Sequence, residues 1–265
     1  MGNIVIKCGG SVIEEIPPSF YRELCEIQAA GKFQPIIVHG GGKLITNLLF
    51  QLKIPSVFVK GLRVTTDDML DVIEMALSGN VNKSITRSII QAGGQAVGIS
   101  GIDGGLLEAK QVDPELGFTG YVKSVNSKLI KQLCDMKYIP VVSPLGMDIK
   151  GQRYNINADT SAAAIAGELQ CPLLLISDIP GIYQVIDGEK QTIDSLSIDE
   201  LDVLIDNGTI TDGMIPKVNG AKEALLNGVK EVVIMDGRQE NALTLYCNQQ
   251  SIGTKIYKKE EILNV

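Results

Sequence analysis

The stretch Ile4-Val5-Ile6-Lys7-Cys8-Gly9-Gly10-Ser11 places a short apolar run directly before a basic residue and a pair of glycines. A second stretch, Pro35-Ile36-Ile37-Val38-His39-Gly40-Gly41-Gly42, has the same plan, an apolar run that leads into glycines. Apolar runs this short, bounded by turn residues, are typical of strands buried on both faces of a parallel sheet. The two stretches therefore predict an α/β fold in which glycine-rich loops follow the carboxyl ends of successive strands.

The rest of the chain alternates further apolar runs with helical patterns. Besides 4–6 and 35–38, strands are predicted at 96–99, 139–142, 173–176, 232–235 and 254–257. Helices are predicted at 17–31, 43–52, 127–136, 158–169, 198–206 and 217–226, with a long one opening at 65–68. Such alternation predicts a mainly parallel sheet with helices on both faces. The dipeptides Lys150-Gly151 and Asp187-Gly188 predict inserted hairpin turns.

The composition argues against several classes of protein. The 265 residues are 45% hydrophobic and 21% charged, as in an ordinary globular chain. The 24 basic and 31 acidic residues give a net charge of −7, which argues against nonspecific nucleic-acid binding and a polybasic membrane anchor. His39 is the single histidine, so a multi-histidine zinc site is excluded and a serine hydrolase nearly so. The scattered cysteines and the lack of a leader or membrane-length apolar run predict a cytoplasmic protein.

The glycine-rich loops are candidate anion sites. Glycine lets the backbone approach a bulky anion, and the free N–H groups of a following helix favour phosphate or carboxylate. Gly9 and Gly10 follow the first apolar run, and Gly41 and Gly42 follow the second. One such loop is weak support, because tight turns need glycine anyway, but two in successive units favour an anion site. Neither is a Walker A loop, and no GxGxxG occurs.

Four charged residues near turns are candidates for the chemistry. Lys7 ends the first strand, and Lys217 follows Pro216 at a predicted helix start, where a cation opposes the helix dipole unless an anion lies nearby. Asp159 opens an alanine-rich helix, and Arg63 lies in a short loop where its planar guanidinium suits a carboxylate. Each also has a simpler interpretation: the lysines as solvated side chains, the aspartate as a helix cap, the arginine as a surface residue.

Six segments together resemble the amino-acid kinase family from end to end. They are 7–11 (KCGGS), 38–42 (VHGGG), 61–65 (GLRVT), 155–159 (NINAD), 177–181 (SDIPG) and 213–217 (GMIPK). Six motifs in the family's order are far more specific than any one of them. The resemblance implies a three-layer αβα sandwich on an open, mainly parallel sheet. It also implies an N-terminal lobe, 1–171, for an acyl amino acid and for dimerisation, and a C-terminal lobe, 172–265, for ATP.

The resemblance implies a role for each matching position. Lys7 and Lys217 are expected to stabilise the transferring phosphoryl group, and Asp159 is expected to hold both ammonium groups in place. The expected substrate contacts are Gly41, Gly42, Arg63, Asn155 and Asn157, with the arginine on a carboxylate. The expected nucleotide contacts are Gly9, Gly10, Asp178, Ile179, Pro180, Gly181, Ile182, Tyr183, Thr209, Ile210 and Thr211.

Within the family, the chain is most similar to enzymes that phosphorylate the side-chain carboxylate of N-acetyl-L-glutamate in arginine biosynthesis. ATP is the implied phosphoryl donor, with Mg²⁺ carried on its phosphates, and no resident metal is expected. Arginine-inhibited hexameric members have an extra N-terminal helix. This chain begins at its first strand and so resembles the shorter type, which predicts a homodimer.

Two alternatives stay open. The first is a sister kinase acting on glutamate, aspartate, carrier-linked aminoadipate, carbamate or UMP, because the glycine loops and lysines serve the whole family. Only Arg63 and the two asparagines argue for N-acetylglutamate. The second is a nucleotide-sensing module without turnover. Both lysines and Asp159 argue against it, since a sensor needs affinity but no transition-state stabilisation.

Overall fold

The computed structural model describes residues 1–10, 12–59, 61–186, 189–210 and 214–259. In these ranges the strands are β1 (Gly2–Cys8), β2 (Phe33–His39), β3 (Phe58–Val59), β4 (Leu62–Arg63), β5 (Ala96–Ser100), β6 (Leu107–Gln111), β7 (Thr119–Val125), β8 (Ile139–Ser143), β9 (Leu145–Met147), β10 (Arg153–Ile156), β11 (Leu173–Ser177), β12 (Tyr183–Ile186), β13 (Glu189–Thr192), β14 (Ser195–Ser197), β15 (Val232–Asp236) and β16 (Thr254–Tyr257). The helices are α1 (Pro18–Ala29), α2 (Gly42–Gln51), α3 (Asp67–Glu74), α4 (Asn82–Gln91), α5 (Lys128–Asp135), α6 (Ala158–Glu168), α7 (Ile198–Asp206), α8 (Met214–Leu226) and α9 (Ala242–Cys247). A π-helical segment, Met75–Val81, joins α3 to α4. None of the helices described is both long and apolar enough to cross a membrane.

Eight strands form one open sheet in the order β14-β16-β15-β11-β1-β2-β8-β5. Every neighbouring pair is parallel except β15 and β16. Helices cover both faces because the inner strands are apolar on both. In β1, Ile4 and Ile6 share a buried cluster with α1, α4 and α9, whereas Val5 shares one with α5, α6 and α8. The predicted three-layer αβα sandwich is thus confirmed, and all seven predicted strands lie in this sheet.

Chain order divides the sheet at its centre. The strands β1, β2, β5 and β8 come from the first 171 residues and form one side, and β11, β14, β15 and β16 form the other. At the junction β1 and β11 run parallel, with Lys7 opposite Leu175 and Cys8 opposite Ile176. Their carboxyl ends therefore lie side by side, which brings the first glycine loop next to Ser177. The assignment of substrate and nucleotide to separate lobes stays a prediction.

Several smaller elements attach to the sandwich. The strands β6, β7, β9 and β10 close into a small barrel that the sequence did not predict. Arg63, expected in a loop, lies in the two-residue strand β4, which pairs with β3. The turn at Lys150-Gly151 is confirmed, since β9 and β10 are antiparallel on either side of it. Antiparallel β12 and β13 likewise flank the predicted turn at Asp187-Gly188, although those two residues lie outside the described ranges.

Candidate active site

The two glycine loops lie against each other at the carboxyl ends of β1 and β2. The Gly40 N–H donates to the Cys8 carbonyl at 3.1 Å. A methyl group added at Gly10 would lie 2.8 Å from the backbone nitrogens of both Gly41 and Gly42. A side chain at position 10 would not fit there, so the two predicted loops form one wall lined by backbone.

A cleft of about 660 Å³ adjoins this wall, and both predicted lysines line it. Lys7 projects from β1 and Lys217 from α8. The Lys7 ammonium lies 2.8 Å from Asp159 Oδ1, and the Lys7 side chain is only 15% exposed. Asp159 lies in the first turn of α6, where the helix dipole also favours a negative charge. The predicted convergence of two sequence-distant lysines on one cleft is therefore present.

Lys217 has a different partner from the one predicted. Asp159 was expected to hold both ammonium groups, but it pairs with Lys7, and Lys217 pairs with Asp178 at 3.3 Å. The Lys217 ammonium also donates to the Ser177 hydroxyl at 2.6 Å. The reason is local: Ser177 ends β11 and Asp178 follows it, so one strand end offers two oxygens to the first turn of α8.

Asp178 is held in its ionised form. Burial opposes its ionisation, but hydrogen bonds from its own N–H, from Lys217 and from Ser177 outweigh this effect and lower its pKa. Arg238 donates from Nη2 to the Asp178 carbonyl at 2.8 Å, and it also pairs with Asp236 at 2.8 Å. Arg238 could not be predicted from the sequence, because it follows β15 without a recognisable motif. Ser177 could have been predicted as a site residue, because it is the first residue of the SDIPG segment.

A second pocket, of about 420 Å³, adjoins the cleft. Leu62 and Asn157 line both cavities. The predicted substrate residues all line the second pocket: Gly41, Gly42, Arg63, Asn155 and Asn157. The structure thus brings together one group of residues that comes from three separate parts of the sequence.

Arg63 is the buried cation of this second pocket. Arg63 is 7% exposed. Burial lowers the pKa of its guanidinium, but the usual pKa of arginine is so far above neutral pH that the group stays positively charged. Its guanidinium donates to Thr46 Oγ1 at 2.9 Å and to the Ser56 hydroxyl, and it lies 4.5 Å from the centre of the Phe58 ring. Within the described ranges these partners are neutral, and Arg63 forms no ion pair. The arrangement suits an anionic ligand such as a carboxylate.

The two asparagines have partners within the protein. Asn155 Nδ2 donates to Thr65 Oγ1 at 3.1 Å. Asn157 Oδ1 accepts the N–H groups of Asp159 and Thr160 at 2.7 and 3.3 Å and so caps α6. The oxygen of Asn157 therefore serves the helix, and its amide nitrogen is the atom left for a ligand.

The predicted nucleotide residues are more dispersed. Gly9 and Asp178 line the larger cleft. The other residues of the segments 178–183 and 209–210 are not part of its lining: Ile179, Pro180, Gly181, Ile182, Tyr183, Thr209 and Ile210. The side chains of Ile182 and Ile210 are each 1% exposed and pack in the core, since both are fully apolar. Thr211 lies outside the described residues.

Comparison with known proteins now identifies the family. The sequence model of the amino acid kinase family matches residues 3–236. This chain belongs to the amino acid kinase family. The family resemblance predicted from the six segments is thereby confirmed.

Similar proteins match this family member over nearly its whole length. The acetylglutamate kinase of Geobacillus stearothermophilus is 45% identical over 258 residues, which cover 97% of this chain and 96% of that protein. The acetylglutamate kinase of Bacillus subtilis (strain 168) is 44% identical over 263 residues, 98% of each chain. A Streptococcus mutans UA159 protein of known crystal structure has a TM-score of 0.81 at 30% identity, over 96% of this chain and 98% of that one.

Proposed function

We propose that the protein transfers the γ-phosphoryl group of ATP to the side-chain carboxylate of N-acetyl-L-glutamate, giving N-acetylglutamyl 5-phosphate and ADP. The observation that carries the proposal is the convergence of Lys7 and Lys217 on one cleft, beside the pocket that contains Arg63. The names of the two bacterial relatives support the same substrate. The product would serve arginine biosynthesis.

ATP occupies the larger cleft in this proposal. Apolar side chains there suit a nucleobase, namely those of Val12, Leu173, Leu175, Leu226 and Ile234. The phosphates then extend toward Lys7, Lys217 and the glycine loops, whose cations and N–H groups suit negative oxygens. Mg²⁺ arrives on the ATP phosphates and neutralises part of their charge.

The chemistry requires charge stabilisation and alignment more than proton transfer. A carboxylate oxygen of the acceptor forms a bond to the γ-phosphorus while the bond from that phosphorus to the bridging oxygen breaks, and ADP leaves. A glutamate side chain has a pKa of about 4.3 and is already ionised at neutral pH, so the site needs no general base. Lys7 and Lys217 stabilise the negative charge of the phosphoryl group during transfer. Asp159 holds the ammonium group of Lys7, and Asp178 holds that of Lys217.

The charges of the smaller pocket favour an N-acylated acceptor. Of its lining residues within the described ranges, Lys43 and Arg63 are basic and none is acidic. A substrate carboxylate can pair with one of these basic side chains. The α-ammonium group of free glutamate or aspartate would instead lose its hydration without gaining a negatively charged partner. Acetylation removes that charge and supplies an amide that Asn155 and the glycine loop can hydrogen bond.

Trapping the acyl phosphate with hydroxylamine tests the proposal. The protein is incubated with MgATP, hydroxylamine and one acceptor at a time, and the coloured hydroxamate is measured against reactions without ATP. We expect colour with N-acetyl-L-glutamate and none with glutamate or aspartate. Colour with either of those alone would assign a sister kinase, and no product together with ATP-dependent thermal stabilisation would assign a sensor. Carbamate and UMP require separate product assays.

We also propose that the enzyme is cytoplasmic, from its scattered cysteines, and a homodimer, from the family resemblance. The dimer is tested by light scattering of the purified protein, for which we expect a mass twice that of one chain. The mass of a single chain would contradict it.

A further inference from the structure

The single histidine lies directly behind the glycine loop. His39 is the last residue of β2 and is fully buried. Its Nδ1 lies 3.0 Å from the Gly40 carbonyl oxygen, and its Nε2 lies 3.3 Å from Asn82 Nδ2. A carbonyl oxygen only accepts and an amide nitrogen only donates, so Nδ1 must carry the proton and Nε2 must accept. One neutral tautomer satisfies both contacts.

The orientation of the Asn82 amide is fixed independently of the histidine. Its Nδ2 also lies 2.8 Å from the Val141 carbonyl oxygen and 3.0 Å from that of Ile99, so its two hydrogens serve three acceptors and the longer contact to His39 shares one of them. Its Oδ1 accepts a hydrogen bond from the Lys83 ammonium at 3.1 Å. Turning the amide over would place an oxygen against two carbonyl oxygens. Asn82, which is fully buried, therefore ties the end of β2 to β5 and β8.

The Gly40 carbonyl decides where the next N–H group points. The peptide that joins Gly40 to Gly41 is planar and trans, so its C=O and N–H point in opposite directions. With the carbonyl directed to His39, the Gly41 N–H is directed away from the ring. Glycine has little conformational preference of its own, so the bond to His39 is what selects this orientation of the peptide.

The π-helical segment holds the other side of the same loop. A methyl group added at Gly41 would lie 2.7 Å from Leu77 Cδ2 and 3.3 Å from Val81 Cγ2. Asn82 follows this segment directly. One continuous helix thus supplies both the apolar contact of the loop and the amide that orients His39, and π-helical turns are frequent at functional sites.

We infer that His39 and Asn82 form a buried positioning pair that fixes the Gly40–Gly41 peptide and so aims the Gly41 N–H at the substrate. The inference rests on the proposed function, in which this N–H is a substrate contact. Neither residue touches substrate, because both lie behind the loop. Their effect is therefore expected in turnover rather than in nucleotide binding.

Nitrogen NMR of the untagged wild-type protein tests the tautomer. Because His39 is the only histidine, the ¹⁵N–¹H spectrum of the imidazole contains one set of signals and needs no assignment. At pH 7 we expect a protonated Nδ1 and an unprotonated Nε2. A ring protonated at Nε2, or a mixture of the two tautomers, would overturn the inference.

Two amide substitutions separate the two contacts of the ring. In His39→Asn the amide stands where Nδ1 was and can still donate to the Gly40 carbonyl. In His39→Gln it stands where Nε2 was and can contact only Asn82. We expect His39→Gln to lower kcat about tenfold or more, and His39→Asn to stay within about threefold of wild type, with the KM for ATP unchanged in both.

The backbone amide shift of Gly41 completes the test, because it needs no substrate. We expect it to move in His39→Gln and to stay close to wild type in His39→Asn. Equal changes of kcat and of this shift in the two variants would overturn the inference. Failure of the proposed function is seen separately, as a wild-type protein that forms no acyl phosphate from N-acetylglutamate. If His39→Gln does not fold, the tautomer of the wild-type ring, measured by nitrogen NMR, decides whether the inference holds.

Discussion

Arg63 shows which properties of a site residue can be predicted from the sequence and which require the structure. The GLRVT segment predicts a guanidinium near a carboxylate, and the structure places Arg63 in the smaller pocket. Its neighbours Thr46 and Ser56 could not be predicted, because they come from α2 and from the loop before β3 and belong to no motif. Their hydroxyls aim the guanidinium without neutralising it, which leaves its charge for a ligand.

For Arg63→Lys we predict a rise in the KM for N-acetylglutamate of about tenfold, with the KM for ATP unchanged. Lysine keeps the charge but lacks the planar fork that binds a carboxylate through two N–H groups, and one lost hydrogen bond to a charged group is worth about 1.5 kcal/mol. Steady-state kinetics with each substrate varied in turn measures both constants. The exposed Arg87 supplies the matched control, Arg87→Lys. A rise confined to the KM for ATP would show that Arg63 is misassigned.

His39 predicts a specific pH dependence of stability. Burial lowers its pKa from 6.5 to about 4, although the bond to Gly40 opposes this shift, and the nearby Lys83 lowers the pKa further. Between pH 6.5 and 4 the imidazole of His39 is protonated in the unfolded chain but stays neutral in the folded protein. The free energy of unfolding therefore falls as the pH falls through this window. A difference of about 2.5 pKa units corresponds to about 3 kcal/mol.

The control for this effect is His39→Asn, whose side chain does not titrate. Urea unfolding of both proteins from pH 7 to pH 4 gives their difference in stability at each pH, which removes the contribution of shared carboxylates. We expect the wild-type advantage to shrink as the pH drops. A difference that is constant over this range would contradict a buried neutral ring.

At the scale of elements, the central sheet could be predicted and the small barrel could not. The strands β1, β2, β8 and β11 are continuous apolar runs because both of their faces are buried. The barrel strand β7 (TGYVKSV) mixes buried and exposed positions and contains glycine, so no apolar run marks it. The helix α9 has six residues, too few for a periodic pattern.

The helix α9 depends on a carboxylate from a distant part of the chain. Glu23 of α1 is 4% exposed and accepts the N–H groups of Asn241 and Thr244, each at 3.0 Å. We expect Glu23→Ala to lower the free energy of unfolding by about 1–3 kcal/mol, because two N–H groups at the start of the helix lose their partner. Urea unfolding measures this value. Glu26→Ala on the exposed face of α1 should change it by less than about 0.5 kcal/mol, and equal effects of the two substitutions would contradict the capping role.

At the scale of the whole molecule, the order of motifs predicted which parts of the chain meet, but not every contact between them. Lys7 and Asp159 meet as expected, since β1 and α6 pack together. The pairing of Lys217 with Asp178 could not be predicted, because it depends on how α8 sits above the end of β11. The shared cleft follows from the junction of β1 and β11 at the centre of the sheet.

A double-substitution cycle on Lys7 and Lys217 tests most directly whether the two ammonium groups act on one phosphoryl group. We compare kcat for N-acetylglutamate phosphorylation in Lys7→Ala, Lys217→Ala and the combined variant, each with a melting curve. Lys123→Ala, which breaks the exposed pair with Glu108, is the control and should keep wild-type activity. We predict that each single substitution lowers kcat by about 10²- to 10³-fold, and that the combined loss is smaller than the product of the two. Losses that multiply, or wild-type turnover in either folded single variant, would contradict the shared role.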